Sequence, residues 1–99
     1  SEGLLIDSKG YATMAAYLRP KASGLIDKVE VTLRLEKIDG TLLRKKTYDA
    51  KWSEVAFEFQ VEDNKQLIDK GAYYIDVTYK CYKDGKLLET LRGSAADTY

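Results

Sequence analysis

The chain has 99 residues, of which 44% are hydrophobic and 32% are charged. This length and balance are typical of one globular domain and exclude a disordered segment. Lysine plus arginine number 16, as do aspartate plus glutamate, so the formal net charge is zero. Nucleic-acid binding requires a basic excess, and no nucleic-acid partner is therefore expected.

Residue types that carry chemistry are scarce. Histidine is absent and cysteine occurs once, which removes histidine-dependent triads, histidine general bases and most zinc sites. A single cysteine cannot form an intrachain disulfide. No stretch approaches the roughly 18 apolar residues of a bilayer span, so no membrane insertion is expected. The composition predicts a protein that is not an enzyme and that has no metal or cofactor.

Apolar and polar residues alternate along most of the chain, which is the pattern of half-buried strands. The alternation is clearest at residues 29–35, 55–61 and 73–81, and it places Val55 and Phe57 on the same inward face as Phe59 and Val61. Asp-Gly pairs at 39–40 and 84–85 are typical of tight hairpin turns. These signals predict seven strands, at residues 2–7, 10–18, 25–38, 41–51, 54–62, 72–83 and 86–92.

Three further segments have distinct expectations. Residues 63–70 are the one stretch that could form a helical turn. The basic run at 44–46 fits a solvated strand edge, where charge discourages pairing with other chains. The tail at 95–99 ends in an aromatic residue and is expected to dock as a final edge strand. If it stayed loose it could pair with another copy, which leaves a homodimer open.

About seven short strands with regular turn signals indicate two packed sheets. The fold class predicted is therefore all-β, an immunoglobulin-like antiparallel β-sandwich that forms a single domain over residues 1–99. Asp69, Gly71 and Tyr73 resemble the tyrosine corner of immunoglobulin domains, in which a tyrosine hydroxyl bonds to upstream backbone. Ile75 stands where a disulfide-bonded domain would have cysteine.

Two single residues have a structural and a functional interpretation. Cys81 shares the parity of Ile75 and Val77, which favours an unreactive thiol in the core. Trp52 precedes the strand at 54–62, and a core anchor is favoured over a ligand contact.

The candidate binding face lies on the outward side of the strand at 72–83. Tyrosine is abundant, with eight in the chain, and it supplies rigid contact area with a polar tip. The alternative is that strands simply favour aromatic residues. The predicted face consists of Tyr74, Asp76, Thr78, Lys80 and Tyr82.

The chain resembles a family of small secreted immunoglobulin-like proteins of unknown function from gut Firmicutes. Weak motifs carry the resemblance in order from about residue 5 to residue 99: Tyr11-Ala12-Thr13-Met14-Ala15, Val29-Glu30-Val31-Thr32-Leu33-Arg34-Leu35-Glu36-Lys37, Trp52, Phe57-Glu58-Phe59, Gly71-Ala72-Tyr73-Tyr74, Glu89, and Ser94 to Tyr99. Members tend to carry a cysteine in the early strand, where this chain has Met14 or a neighbouring residue. The resemblance implies a secreted or surface-displayed sandwich whose signal peptide is removed, and it implies no activity or cofactor.

Three function classes follow. The first is a non-enzymatic extracellular or cell-surface interaction module that binds a protein or a glycan at a sheet face or at loop tips. The second is a structural spacer within a longer surface protein. A hydrolytic enzyme is the remote third class, because no catalytic motif is present.

Overall fold

The computed structural model describes residues 1–22 and 24–99, and within those ranges the chain forms eight strands and no helix. The strands are β1 (Glu2–Ile6), β2 (Tyr11–Leu18), β3 (Lys28–Lys37), β4 (Leu42–Asp49), β5 (Lys51–Ser53), β6 (Glu58–Gln66), β7 (Ala72–Lys83) and β8 (Lys86–Thr98). They make two four-stranded antiparallel sheets, in the orders β1-β2-β6-β5 and β4-β3-β7-β8, which pack face to face. The all-β antiparallel sandwich is confirmed, with eight strands in place of seven. In the described ranges no helix has the length and apolar character needed to cross a membrane.

The core lies between the inner faces of the two sheets. It consists largely of the apolar residues that the sequence alternation predicts to point inward. Inward residues of the central strands β3 and β7 are at most 3% exposed: Val29, Val31, Leu33, Leu35, Tyr73, Ile75, Val77, Tyr79 and Cys81. In the other sheet, β2 contributes Ala12, Met14 and Ala16, which are equally buried. Each large apolar side chain in this set stabilises the fold by roughly 1.5–3 kcal/mol.

The strand predicted at 41–51 is in fact two strands in different sheets. It breaks at Ala50, whose backbone N–H donates to the Val29 carbonyl at 2.9 Å. β4 pairs with β3 in the second sheet, whereas β5 pairs with β6 in the first. Residues 41–51 contain no glycine or proline that would mark a break, so the sequence pattern did not separate β4 from β5. This accounts for the eighth strand.

The strand predicted at 54–62 begins later than expected, at Glu58. Residues 54–57 form the turn between β5 and β6, closed by the Phe57 N–H donating to the Ser53 carbonyl at 2.8 Å. Ser53 Oγ also accepts the Ala56 N–H at 3.1 Å. The predicted inward placement of Val55 and Phe57 is therefore wrong: both lie in this turn and are exposed, and the strand alternation begins only at Glu58.

The helical turn suggested at residues 63–70 is also wrong. β6 continues to Gln66 because it pairs with β2 as far as the Tyr11–Gln66 pair. Beyond it, the Leu67 N–H donates to the Gly10 carbonyl at 2.8 Å, and the Leu67 side chain is buried in the core. Cross-strand pairing overrides the helical preference of this polar segment.

The tyrosine corner and the C-terminal strand agree with expectation. The buried Tyr73 hydroxyl donates to the backbone oxygen of Asp69. The predicted edge strand at the tail is confirmed, since β8 pairs with β7 along its whole length to the Ala72–Thr98 pair. The basic run at 44–46 lies on β4, which is an edge strand as predicted.

Candidate functional site

The five residues predicted as a binding face lie along β7 on the outer side of the second sheet. Their side chains are exposed or half-buried, while the intervening residues are buried. Tyr74 and Tyr82 are about 26 Å apart along the strand at a rise of about 3.3 Å per residue. The two tyrosines therefore mark opposite ends of the face and do not form one aromatic patch.

A polar groove of about 410 Å³ crosses the middle of this outer face. Of the five predicted residues, Asp76 and Thr78 line it. Across the β3–β7 pair, Arg34 lies opposite Asp76, and Glu30 lies opposite Lys80. Opposite charges at directly opposed positions of neighbouring strands attract one another and stabilise the strand pairing. The remaining lining residues are Thr32, Arg34, Glu36, Lys45, Val77, Arg92 and Gly93.

Tyr74 is held by an internal hydrogen bond at one end of this face. Its hydroxyl donates to the carboxylate of Glu36, which also accepts from Arg34 Nε at 3.0 Å. The hydrogen bond from Tyr74, followed by that from Arg34, holds the pKa of Glu36 below its usual range. The same carboxylate raises the pKa of Tyr74. This hydroxyl already has a charged acceptor within the domain, so its first role is structural.

A different surface, which we call the aromatic end, forms where the β2–β3 loop meets the β5–β6 turn. It is defined by Pro20, Trp52 and Phe57, which line the same two cavities. The exposed Leu25 and Val55 belong to the adjoining loop and turn. Trp52 is 37% exposed, Leu25 54%, Phe57 61% and Val55 94%. Single exposed apolar residues are ordinary on protein surfaces, but a cluster of large ones at one place is typical of an interaction site.

Trp52 is fixed on one side by the core. It is the middle residue of β5 and pairs with Phe59 of β6. The two rings meet edge to face, with centroids 5.0 Å apart and planes at 62°. Phe59 is buried, so the packed side of the indole is immobilised while the other side faces solvent. The predicted core-anchor role is therefore wrong in part, because Trp52 packs on the buried Phe59 but lies outside the core. A ring already held in place loses little entropy when a ligand covers it.

Phe57 has a backbone conformation that its side chain disfavours. Its φ angle is +53°, in the left-handed region that costs an ordinary residue roughly 1–2 kcal/mol. Turn closure by Ser53 imposes this angle, and Arg19 Nη2 fixes the turn further by donating to the Ala56 carbonyl at 3.0 Å. Such strain in a bulky residue is uncommon and concentrates at functional sites. Here it points an aromatic ring outward.

Two shallow cavities adjoin the exposed rings and share three lining residues, Pro20, Trp52 and Phe57. The first has a volume of about 290 Å³, and the second about 200 Å³. The first is completed by Gly24, Ile26, Asp27, Glu54 and Phe59, and the second by Arg19, Lys21 and Ala22. They share the apolar walls and marginal polar groups of ligand sites, but each is smaller than the roughly 300–1,000 Å³ of a typical small-molecule pocket.

The margins of the two cavities carry opposite charge. Asp27 and Glu54 line the first cavity, whereas Arg19 and Lys21 line the second. Arg19 also lies 3.8 Å from a carboxylate oxygen of Glu58, which partly balances it. Within the described chain no carboxylate approaches Lys21 within ion-pair distance, and Glu54 meets no such cation.

Sequence reasoning found Trp52 but missed its neighbours. Phe57 was assigned to an inward strand position because the alternation runs through it without a break. A left-handed residue is normally signalled by glycine or asparagine, and position 57 has neither. The one available signal was Ser53 directly after Trp52, since serine is common in turns.

Comparison of the chain with protein-family models, with curated proteins and with solved structures finds no match. Among residues 1–22 and 24–99, no group of three or more acidic, cysteine or histidine side chains is arranged to hold a metal ion.

Proposed function

We propose that this domain is a non-enzymatic interaction module, extracellular or displayed at a cell surface, which binds a protein or a glycan. Its docking surface is the aromatic end. The observation that carries the proposal is Phe57, whose strained backbone holds an aromatic ring in solvent beside the half-exposed ring of Trp52. Residues held in strained backbone conformations cluster at binding and catalytic sites, which supports a binding role for this exposed ring.

The strand order supports an immunoglobulin-like assignment within the β-sandwiches. The order β1-β2-β6-β5 corresponds to strands A, B, E and D of an immunoglobulin domain. The order β4-β3-β7-β8 corresponds to C, F and G with one additional strand beside C. In variable domains the loop between strands B and C belongs to the binding end. The equivalent β2–β3 loop here forms part of the aromatic end.

The extracellular placement follows from the resemblance to small secreted proteins of gut Firmicutes. The outer face of β7 remains the competing docking surface, since Asp76 and Thr78 line its polar groove. A mixed set of hydroxyls, carboxylates and cations is suited to hydrogen-bonding ligands. The two surfaces lie on different parts of the sandwich, so separate variants can distinguish them.

The test measures binding of the labelled full chain to bacterial cell wall, mucin, a glycan array and a displayed random peptide library. Three proteins are compared: the wild type, Phe57→Gly, and the double variant Tyr74→Ala/Tyr82→Ala. Phe57→Gly removes the ring and fits the left-handed backbone, so it is expected to fold. Circular dichroism and thermal unfolding check the fold of each protein.

We expect saturable binding to at least one of these targets, reduced tenfold or more by Phe57→Gly and little changed by the tyrosine variant. Loss in the tyrosine variant alone would move the docking surface to β7. Absence of binding to every target by a stably folded wild type would overturn the proposal and favour the structural spacer.

A further inference from the structure

The aromatic end is more apolar than glycan recognition requires. Sugar rings stack on aromatic faces, but their hydroxyls gain nothing from exposed aliphatic side chains. Leu25 in the β2–β3 loop and Val55 in the β5–β6 turn are nevertheless 54% and 94% exposed. Exposed apolar clusters with a charged margin are typical of protein–protein interfaces. This composition favours a protein partner over a sugar.

The residue types at the centre also fit a protein partner. Tryptophan and arginine are enriched among residues that contribute most to binding energy in protein interfaces. Trp52 and Phe57 line both cavities, and Arg19 lies at the edge of one. A ligand side chain seated against the two rings would enter both cavities, because Trp52, Phe57 and Pro20 are common to them.

The charges at the two margins restrict the partner further. A segment that crosses the rings passes from the Arg19 and Lys21 side to the Asp27 and Glu54 side. Opposite charges across an interface improve both association rate and specificity, while like charges are penalised. The segment best matched to this surface therefore carries an acidic group at one end and a basic group at the other.

We propose that the partner is an extended peptide segment of another protein, with one large apolar side chain seated against Trp52 and Phe57. An acidic residue of the segment lies toward Lys21 and a basic residue toward Glu54. This inference depends on the proposed function, since it names the partner class of the same docking surface. The segment can run in either direction, provided that each charge meets its complement.

The experiment selects random displayed heptapeptides on the immobilised full chain, and the enriched sequence is then synthesised. Its affinity is followed by the fluorescence of Trp52, which is the single tryptophan of the protein. Four variants are titrated beside the wild type: Phe57→Gly, Lys21→Glu, Glu54→Lys, and Lys21→Glu/Glu54→Lys. All retain the reporter tryptophan.

The enriched peptides are expected to share a large apolar residue between an acidic and a basic residue. Phe57→Gly weakens binding tenfold or more, because it removes a central contact. Each single charge reversal weakens binding about two- to fivefold, the range of a solvent-exposed ion pair. The double reversal restores most of the affinity, because the peptide can then bind in the opposite direction.

Several outcomes would overturn the inference. One is an enriched peptide that binds Phe57→Gly as tightly as the wild type. Another is a double reversal as weak as its two single reversals combined. If no peptide is enriched but a glycan binds and is lost in Phe57→Gly, the interaction module stands and the peptide partner falls. If neither ligand class binds, both proposals fall.

Discussion

At the scale of single residues, Phe57 shows how a local hydrogen-bond pattern can override side-chain preference. Ser53 closes the β5–β6 turn through its backbone carbonyl and its hydroxyl, and this closure sets the φ angle of Phe57 to +53°. Glycine adopts this angle without the steric cost that a Cβ atom introduces. The ring is 61% exposed, so its removal sacrifices little packing.

We expect Phe57→Gly to raise the free energy of unfolding by about 1 kcal/mol, because it relieves the left-handed strain. Phe57→Ala is the matched control, since it also removes the ring but keeps the Cβ atom and the strain. Urea denaturation of the three proteins measures the effect. A Phe57→Gly protein no more stable than Phe57→Ala would show that the turn is not strained.

Cys81 has the role that its parity indicated. It is fully buried, and burial is the main cause that raises the pKa of its thiol, with Glu89 adding to it. A thiolate is the reactive form of cysteine, so this thiol is held in its inert form.

At the scale of elements, side chains bridge the gap between β4 of one sheet and β6 of the other. β5 pairs with β6 only from Glu58 to Gln60, so the rest of β6 forms an exposed edge. Arg44 of β4 reaches across the gap, donating to Asp63 at 2.9 Å and to the Asn64 carbonyl at 2.9 Å. Exposed strand edges invite pairing with other chains. This arginine occupies one of the edge carbonyls that a foreign strand would use.

Asp63 accepts hydrogen bonds from both Tyr48 and Arg44 at this closure. Partial burial by itself would raise the pKa of Asp63, but these hydrogen bonds outweigh it and the pKa is lowered. Burial, followed by the bond to Asp63, raises the pKa of Tyr48 to about 12. The carboxylate is therefore ionised and the phenol protonated throughout the physiological range.

We expect Asp63→Asn to reduce stability by about 1 kcal/mol at pH 7, after allowance for solvent screening of a charged hydrogen bond. A lowered pKa in the folded state means that the ionised carboxylate stabilises the fold above its ordinary pKa of about 3.9. This contribution disappears as the pH falls through the lowered value. Urea denaturation at pH 7 and near pH 2 measures the difference between the two proteins. A difference that does not shrink in acid would contradict the assignment.

Tyr99, the residue after β8, is bound to the rest of the fold through its backbone and its ring. Tyr99 exchanges two backbone hydrogen bonds with Gly71, and its ring lies 4.1 Å from Lys70 Nζ. The same ring leaves no room for a side chain at Gly10, where an added Cβ would lie 2.5 Å from it. Gly10 also has a φ of +81°, so glycine is required there for two reasons.

We expect Gly10→Ala to cost about 2 kcal/mol in the wild type, from the φ angle and from displacement of Tyr99. In a Tyr99→Ala background the same change costs about 1 kcal/mol, because only the cost of the left-handed backbone angle at residue 10 remains. A double-mutant cycle followed by thermal unfolding measures the coupling. Equal costs in the two backgrounds would mean that the ring does not pack on Gly10.

At the scale of the whole molecule, β1 covers only part of the length of the edge strand β8. Glu2 of β1 fills the space beside Gly93, and the Ile6 N–H donates to Asp97 at 2.8 Å. The second half of β8 is thus shielded by β1. Residues 86–92 are all exposed, including three leucines: Leu87, Leu88 and Leu91. An exposed apolar edge of this kind can pair with a second copy.

We expect the protein to form a weak, reversible dimer through this edge as its concentration rises. Charges at Lys86, Glu89 and Arg92 keep the association weak, since like charges then approach one another across the pair. Leu88→Lys is expected to abolish the dimer, while Ile68→Lys, at an exposed position outside this strand, has less effect. Sedimentation velocity over a concentration series measures it. A wild type that sediments as a monomer at every concentration would contradict the expectation.

Three features could be predicted from the amino-acid sequence alone: the all-β sandwich, the core residues of β3 and β7, and the tyrosine corner. Each of these follows from local alternation or turn chemistry, which short stretches of sequence encode. The change of sheet at Ala50 and the extension of β6 to Gln66 became visible only in the tertiary structure. So did the exposure of Phe57 to solvent beside Trp52. Those features depend on hydrogen bonds and pairings between segments distant in the chain, or on a turn that no glycine marks.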